Sequence, residues 1–286
     1  MAKIHKIRRR IRSIGKINQI TKAMEKVAAS KMKRAQEATL RSRTYAIAAR
    51  EVLSRLTKLT NPKDHPLFRK SSGNRTMVVL FSSDRGLAGA YNSNLFRAFV
   101  QEAEQAPVKV IVIGAKGAAF VSKLTSSVEV AGTYAPWPNE PTSNDVRPIV
   151  TSVIQAFTAG EVDRVRLIYT DFVSTIKQQV VVRQLLPVRT EELVDLNGGL
   201  SHAISFEPSS EAVLTHLVPR LLEVQLYQAS LEALASEHSM RMIAMKNASD
   251  NADDLKSDLT LTYNSARQSA ITQELAEIAA GAEALN

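Results

Sequence analysis

Two short loops carry the residue types that could hold a phosphate. Ser83-Asp-Arg-Gly-Leu-Ala-Gly-Ala-Tyr-Asn92 follows one apolar run, and Gly114-Ala-Lys-Gly117 follows another. A glycine-rich turn between a strand and a helix can wrap a pyrophosphate, because the first N–H groups of the helix point at it. Neither loop has the G-x-G-x-x-G or G-x-x-x-x-G-K-[S/T] spacing that close wrapping needs. Ordinary turn and cap chemistry for Asp84 and Asn92 is therefore expected. The other candidates are weaker. His5, His65, His202, His216 and His238 are scattered without metal-ligand spacing. Glu274 and Glu277 share a helix face and could do acid–base work, but an exposed helix offers no pocket to shift a pKa. The chain has no G-x-S-x-G, no H-E-x-x-H and no cysteine, which excludes disulfides, thiolate metal sites and cysteine nucleophiles. The expectation is a chain with no catalytic residue, no metal site and no cofactor.

The elements that would have to position such a site are unusual. Residues 220–280 contain neither proline nor glycine; Pro219 precedes the run and Gly281 closes it. As one helix it would span about 90 Å, wider than a compact domain's core. Near its end Ile271, Leu275, Ile278, Ala282 and Leu285 fall at 4-3-4-3 spacing, a seam that needs a partner helix. The other end of the chain supplies one. Residues 1–60 contain only Gly15 as a breaker, and Ile4, Ile7, Ile11 and Ile14 begin a heptad seam. Ile17, Ile20, Met24 and Val27 continue it after a step of three where four is due, a stammer that overwinds a supercoil. Ala46, Ala49, Leu53 and Leu56 resume the pattern up to Asn61-Pro62, where proline forbids continuation.

Between the two helices, residues 62–219 hold all ten prolines and nine of the eleven glycines. Strands are expected at 77–83, 108–113, 128–134, 164–169 and 179–186, and helices at 95–105, 115–124 and 145–157. Alternation of this kind gives a mostly parallel sheet covered on both faces. The fold class is thus α/β: a long antiparallel coiled coil of N- and C-terminal helices with an inserted Rossmann-like α/β domain. The division is 1–60 for the first helix, 62–207 for the globular part and 208–286 for the last helix. If the last helix begins near Pro208 it outruns the first, and its tip at 276–282 projects as a single slim helix.

Charge is distributed unevenly. Residues 1–60 carry seventeen Lys and Arg against three Glu, whereas residues 220–286 carry five against ten Asp and Glu. The imbalance suggests that the two helices attract each other and leave positive charge for a further partner. A basic coiled coil on nucleic acid is the main alternative. Against it, the first 60 residues offer one aromatic, Tyr45, for base stacking.

Several segments in order carry a resemblance. Ile17-Asn-Gln-Ile-Thr-Lys-Ala-Met-Glu-Lys-Val-Ala-Ala-Ser-Lys-Met32 in the first helix, the loop Ser83–Asn92, Arg241-Met-Ile-Ala-Met-Lys-Asn-Ala-Ser-Asp-Asn251, Ala266-Arg-Gln268 and Ile271-Thr-Gln-Glu-Leu-Ala-Glu-Ile-Ala-Ala-Gly-Ala-Glu-Ala284 resemble the gamma-subunit family of F-type ATP synthases, in its bacterial form. Where some relatives have a cysteine and a second glycine in the loop, this chain has Ala88 and Ala90. The cysteine-bearing regulatory insert of the chloroplast form is missing, so thiol control should be absent.

The resemblance implies a non-catalytic rotor subunit, one copy per complex, with no cofactor. Its two helices would form the shaft inside three alpha and three beta subunits. Its α/β domain would sit against the epsilon subunit and the membrane-embedded c ring, on the cytoplasmic face of the bacterial cell membrane. Carried over by position, Arg267, Gln268 and Thr272 would meet an acidic catch loop of beta. Arg241 would add a second polar contact, Met24 would lie near beta's acidic lever, and Phe206 and Glu207 would touch the c ring. For Met24, packing in the helix seam stands as an equal reading.

Overall fold

The computed structural model describes residues 2–59, 65–69, 71, 73–124, 128–188 and 209–283. Ten principal elements follow in order: α1 (Ala2–Leu59), β1 (Thr76–Phe81), α2 (Tyr91–Gln105), β2 (Val108–Ile113), α3 (Ala115–Val121), β3 (Val128–Tyr134), α4 (Ser143–Thr158), β4 (Arg164–Phe172), β5 (Gln178–Leu186) and α5 (Ser210–Glu283). The fold is mixed α/β with long terminal helices. α5 runs from Ser210 through Pro219 and on through Gly281, which does not close it as the sequence suggested. The chain forms two compact units: residues 29–240, and residues 1–28 with 241–286. α1 and α5 contribute to both.

In the larger unit the strands form one sheet in the order β3-β2-β1-β4-β5. β1 pairs in parallel with β2 and β4, and β2 with β3; β4 and β5 form an antiparallel hairpin. The sequence of β1, Thr-Met-Val-Val-Leu-Phe, is buried at every position, as a central strand covered on both faces must be. Met77, Val79 and Phe81 face α4 and α5, where they join Val146, Ile149, Val153, Val218 and Leu222. Val78 and Leu80 face the other way and join Tyr91, Leu95 and Phe99 of α2 and Val121 of α3. The split follows from connection handedness. From β1 to β3 the chain steps one way across the sheet; from β3 to β4 it steps back, so right-handed crossovers place α4 on the opposite face. α4 begins with a capping box, in which Thr142 N donates to Asp145 Oδ2 at 2.7 Å.

The entry to β1 is pinned by a carboxylate. Asp163, 6% exposed, accepts hydrogen bonds from Ser71 Oγ, from Arg75 N at 2.9 Å and from Arg75 Nε at 3.1 Å. The Ser71 hydroxyl, then the Arg75 guanidinium and amide, hold its pKa down to about 2. A depressed folded-state pKa adds stability that is complete above the ordinary carboxylate range and is lost as pH falls through about 2. Asp163→Ala should therefore destabilise the chain by about 2 kcal/mol at pH 7. In urea titrations the gap from the wild type should close as pH falls toward about 2; a gap independent of pH would contradict the carboxylate's role.

In the smaller unit α1 and α5 run antiparallel. Asn18 Nδ2 donates to Ser249 O at 3.2 Å, while Ile4 lines a groove with Leu261, Ala266 and Gln273. The seam differs from the one expected. Up to residue 28 the described buried and half-buried positions of α1 are Ile4, Ile7, Ile11, Ile14, Gly15, Asn18, Thr21, Met24, Glu25 and Ala28, and all but Gly15 and Met24 follow one 3-4 alternation. The pattern continues through Met32, Ala35, Thr39, Ser42, Ala46 and Ala49 in the larger unit. The 3-4 alternation never breaks, so there is no stammer. Ile17, Ile20 and Val27 lie outside the seam at 51%, 58% and 57% exposure. The far end is corrected as well. Ile271, Leu275 and Ile278 are not seam residues: they are 49%, 62% and 70% exposed. Of the slim tip expected at 276–282, the described side chains 276–280 are all exposed.

Candidate interaction surface

The strand order reverses between β1 and β4, which is where a Rossmann-type sheet opens to a ligand. On the β2 side of that point the loop after β1 is bound to the chain's own groups. Asp84 Oδ1 accepts from Ala115 N at 2.9 Å, and Asp84 Oδ2 from Trp137 N at 2.8 Å. Lys116 N donates to Ser83 O at 2.9 Å, and Gly117 N to Ser82 Oγ at 2.8 Å. The leading N–H groups of α3, which would face a phosphate, are thereby occupied by the loop after β1. Asn92 braces that loop, donating to Ser83 Oγ at 2.7 Å and accepting from Ser83 N at 3.2 Å. Gly114 has φ 94°, and a Cβ there would sit 2.2 Å from Ser82 O. Its freedom serves loop-on-loop packing. Asp84 and Asn92 thus do the turn and cap chemistry expected of them.

The polar contact residues expected on α5 are placed as follows. Arg267, Gln268 and Thr272 lie together on an exposed stretch, with Thr272 Oγ donating back to Gln268 O at 3.0 Å. Arg241 is far from them in sequence and buried, at 9% exposure. Met24 is half-buried. Phe206 and Glu207 lie outside the described residues.

Among the exposed positions are two short apolar ladders. Ile17, Ile20, Met24 and Val27, at 3-4-3 spacing, form a ladder along one exposed side of α1. Ile271, Leu275 and Ile278 form a second on α5. The seam between the helices is, by contrast, small and polar at its centre. Ser249 Oγ donates to Thr21 Oγ at 2.6 Å, and Ser249 is 1% exposed. Beside it Lys22 Nζ meets Asp253 Oδ2 at 2.9 Å, an exposed pair in which Lys22 and then Asn18 hold the Asp253 carboxyl below its usual range. The pair thus keeps Ile4, Ile7, Ile11 and Ile14 with Asn18 and Thr21 in its seam and leaves Ile17, Ile20 and Val27 exposed beside it. Sequence reasoning missed the outward ladder because it followed the isoleucines. Strict continuation of the heptad from Ile14 selects Asn18 and Thr21 and would have found it.

The polar seam gives a test. Thr21→Val leaves the buried Ser249 hydroxyl without its partner and should destabilise the chain by about 1–3 kcal/mol. Adding Ser249→Ala removes the orphan and should recover most of that loss. A double variant no more stable than the single one in thermal unfolding would show that this hydrogen bond is not what the seam depends on.

Among the described residues no helix is long and apolar enough to cross a membrane, and no three His, Cys, Asp or Glu side chains could together hold a metal ion. Comparison with known proteins covers the whole chain. The family model described as ATP synthase matches residues 3–285. The ATP synthase gamma chain of Herpetosiphon aurantiacus is 45% identical over 301 aligned positions, covering all of both chains. That of Dehalococcoides mccartyi strain CBDB1 is 40% identical over 290 positions, again covering both completely. Among solved structures, the central stalk and c ring of Tetrahymena thermophila mitochondrial ATP synthase contains a chain with 26% identity and a TM-score of 0.62, covering 80% of this chain and 99% of that one. A chain of the Euglena gracilis mitochondrial enzyme shares the fold at 19% identity and a TM-score of 0.69, covering 99% and 95%. With its family model spanning nearly every residue and its relatives matching end to end, the chain belongs to the ATP synthase gamma-chain family.

Proposed function

We propose that the chain is the rotor of a bacterial F-type ATP synthase, and that its paired terminal helices are the shaft. It is a non-catalytic subunit of that complex. One copy would stand inside three alpha and three beta subunits, with residues 62–207 carrying the contacts to epsilon and to the c ring on the cytoplasmic face of the cell membrane. The observation that carries this reading is the apolar ladder left exposed on α1 beside a seam that turns polar at Asn18 and Thr21. An apolar, weakly directional surface suits a part that must slip past successive neighbours without being held by fixed hydrogen bonds.

Coupling follows from differential contact. The two ladders and the polar stretch Arg267, Gln268 and Thr272 make the shaft asymmetric about its axis. Each beta subunit therefore meets a different face, and a rotary position favours one site conformation only to the extent that it binds that conformation better. Arg267, Gln268, Thr272 and Arg241 are assigned to polar contacts with beta, Met24 to its acidic lever, and Phe206 and Glu207 to the c ring. Met24→Lys should add an ion pair to that lever and lower ATP-driven proton pumping per ATP hydrolysed; pumping that tracks hydrolysis as in the wild type would remove the Met24 assignment.

The most direct test of the reading is assembly. Co-expressed with alpha and beta subunits, the chain should purify with both and support ATP hydrolysis by the mixture. Failure to co-purify, or hydrolysis by this chain alone, would overturn it. A gel shift on nucleic acid with a steep salt dependence would favour the alternative raised by the basic first helix, which none of the relatives supports.

A further inference from the structure

The loop between β3 and α4, residues 135–142, is a strap across the larger unit. Pro136, Pro138 and Pro141 lie within it, and each fixes its own φ. It is pinned near both ends. Trp137 N donates to Asp84 Oδ2 of the loop after β1 at 2.8 Å, and Thr142 opens the capping box of α4. Its middle reaches α1: Lys31 Nζ donates to Asn139 Oδ1 at 2.7 Å, and Arg34 Nη1 to Glu140 Oε1 at 3.4 Å.

Trp137 is where these elements meet. Its ring stands edge-on to Phe81 at the end of β1, with centroids 5.9 Å apart and planes at 81°. It also packs against a small buried cluster, Ala35 of α1 with Leu234 and Ala235 of α5. One broad, rigid side chain thus touches the sheet and both long helices. The two helices are held differently. α5 is rooted in the sheet core through Val218, Leu222 and Leu226. α1 is met at residues 31–35 by this loop. The Lys31 and Arg34 pairs are exposed and contribute little on their own. That leaves the Trp137 ring to fix this part of α1 sideways.

We propose that Trp137 is a positioning residue that keys α1 to the sheet, so that α1 and α5 turn with the sheet as one body. The proposal rests on the rotor reading, since a pair of helices delivers torque to a body only if both are keyed to it.

The chain has no cysteine and Trp137 is its only tryptophan, which makes the joint measurable. Spin labels on cysteines introduced at the exposed Lys33 of α1 and Glu104 of α2 read the placement of α1 as a distance. In the full chain the wild type should give one narrow distance distribution. Trp137→Ala should widen it about twofold, and Trp137→Phe, which keeps a ring at the joint, should restore most of the narrowness. Equal widths in the wild type and Trp137→Ala, or no recovery in Trp137→Phe, would overturn the proposal. A measurement that needs no variant guards against Trp137→Ala failing to fold. The anisotropy decay of Trp137 in the wild type should show no fast local rotation, and free nanosecond motion of the indole would overturn the proposal too. In complexes with alpha and beta subunits fixed to a surface, Trp137→Ala should about double the angular spread of a probe on Glu104 at each pause while ATP hydrolysis keeps its wild-type rate. An unchanged spread would count against the keying role. A wild-type probe that never turns would instead refute the rotor reading and leave the distance result standing.

Discussion

Gly114→Ala should prevent the sheet unit from reaching its native packing, with a loss of more than about 3 kcal/mol. Two independent effects act at this position. Its backbone has φ 94°, which a side-chain-bearing residue adopts only with strain. A Cβ would also stand 2.2 Å from Ser82 O and 2.7 Å from Ser82 C, and these are backbone atoms that cannot rotate away. Ser82 in turn is fixed by Ile113 O at 2.7 Å and Gly117 N at 2.8 Å, so any shift breaks the closure of the crevice between β1 and the start of α3. Low soluble yield and loss of the cooperative urea transition are the expected observations; unfolding at the wild-type midpoint would show the loop to be far more compliant than its packing implies. Gly15→Ala is the control. Gly15 lies within α1, and a Cβ placed on it would have nothing within 4 Å, so alanine should stabilise the chain by about 0.5–1 kcal/mol.

The double substitution Ile17→Asp with Ile20→Asp should do the reverse: little to the chain, much to the machine. Both side chains are more than half exposed, so the chain's own unfolding free energy should change by no more than about 0.5 kcal/mol. In the assembled complex the same positions are proposed to be covered by neighbouring subunits. Carboxylates there would be desolvated against apolar surface without a partner. ATP-driven proton pumping in membrane vesicles should fall at least about tenfold, through weaker assembly, lost coupling or both. If pumping and subunit stoichiometry are both retained, the ladder is not an interface. The same substitution at Asn18, a seam position, should instead lower the stability of the chain itself, which separates the two faces of one helix by one residue's displacement.

The globular part was legible in the sequence because each of its strands obeys a local rule. β1 is an unbroken apolar run buried on both faces, and β2 is a second apolar run, Val-Lys-Val-Ile-Val-Ile, buried at all but one position. The terminal helices were legible as helices but not as surfaces. Periodicity assumes that the most apolar stripe is the buried one. At Ile17, Ile20 and Val27 that assumption fails, since in this chain the stripe stays exposed while Asn18 and Thr21 are buried. The apparent stammer after Ile14 marks the point where the isoleucines leave the seam and Asn18 and Thr21 take it over. The role of Gly114 was hidden for a different reason: a glycine that admits a phosphate and one that admits a neighbouring loop look the same until the loop's position is known. Arg267, Gln268 and Thr272 were found through the resemblance; as exposed polar residues on an exposed helix they carry no local signal of their own.

Rotation is the central claim, and the absence of native cysteine makes it directly measurable. A single cysteine introduced at the exposed Glu104, at the end of α2, gives one attachment point for a fluorescent or bead probe. With alpha and beta subunits fixed to a surface and ATP supplied, the probe should turn in one direction, in discrete steps, at a rate set by ATP concentration. Continued ATP hydrolysis by intact complexes whose probes stay at one angle would contradict it.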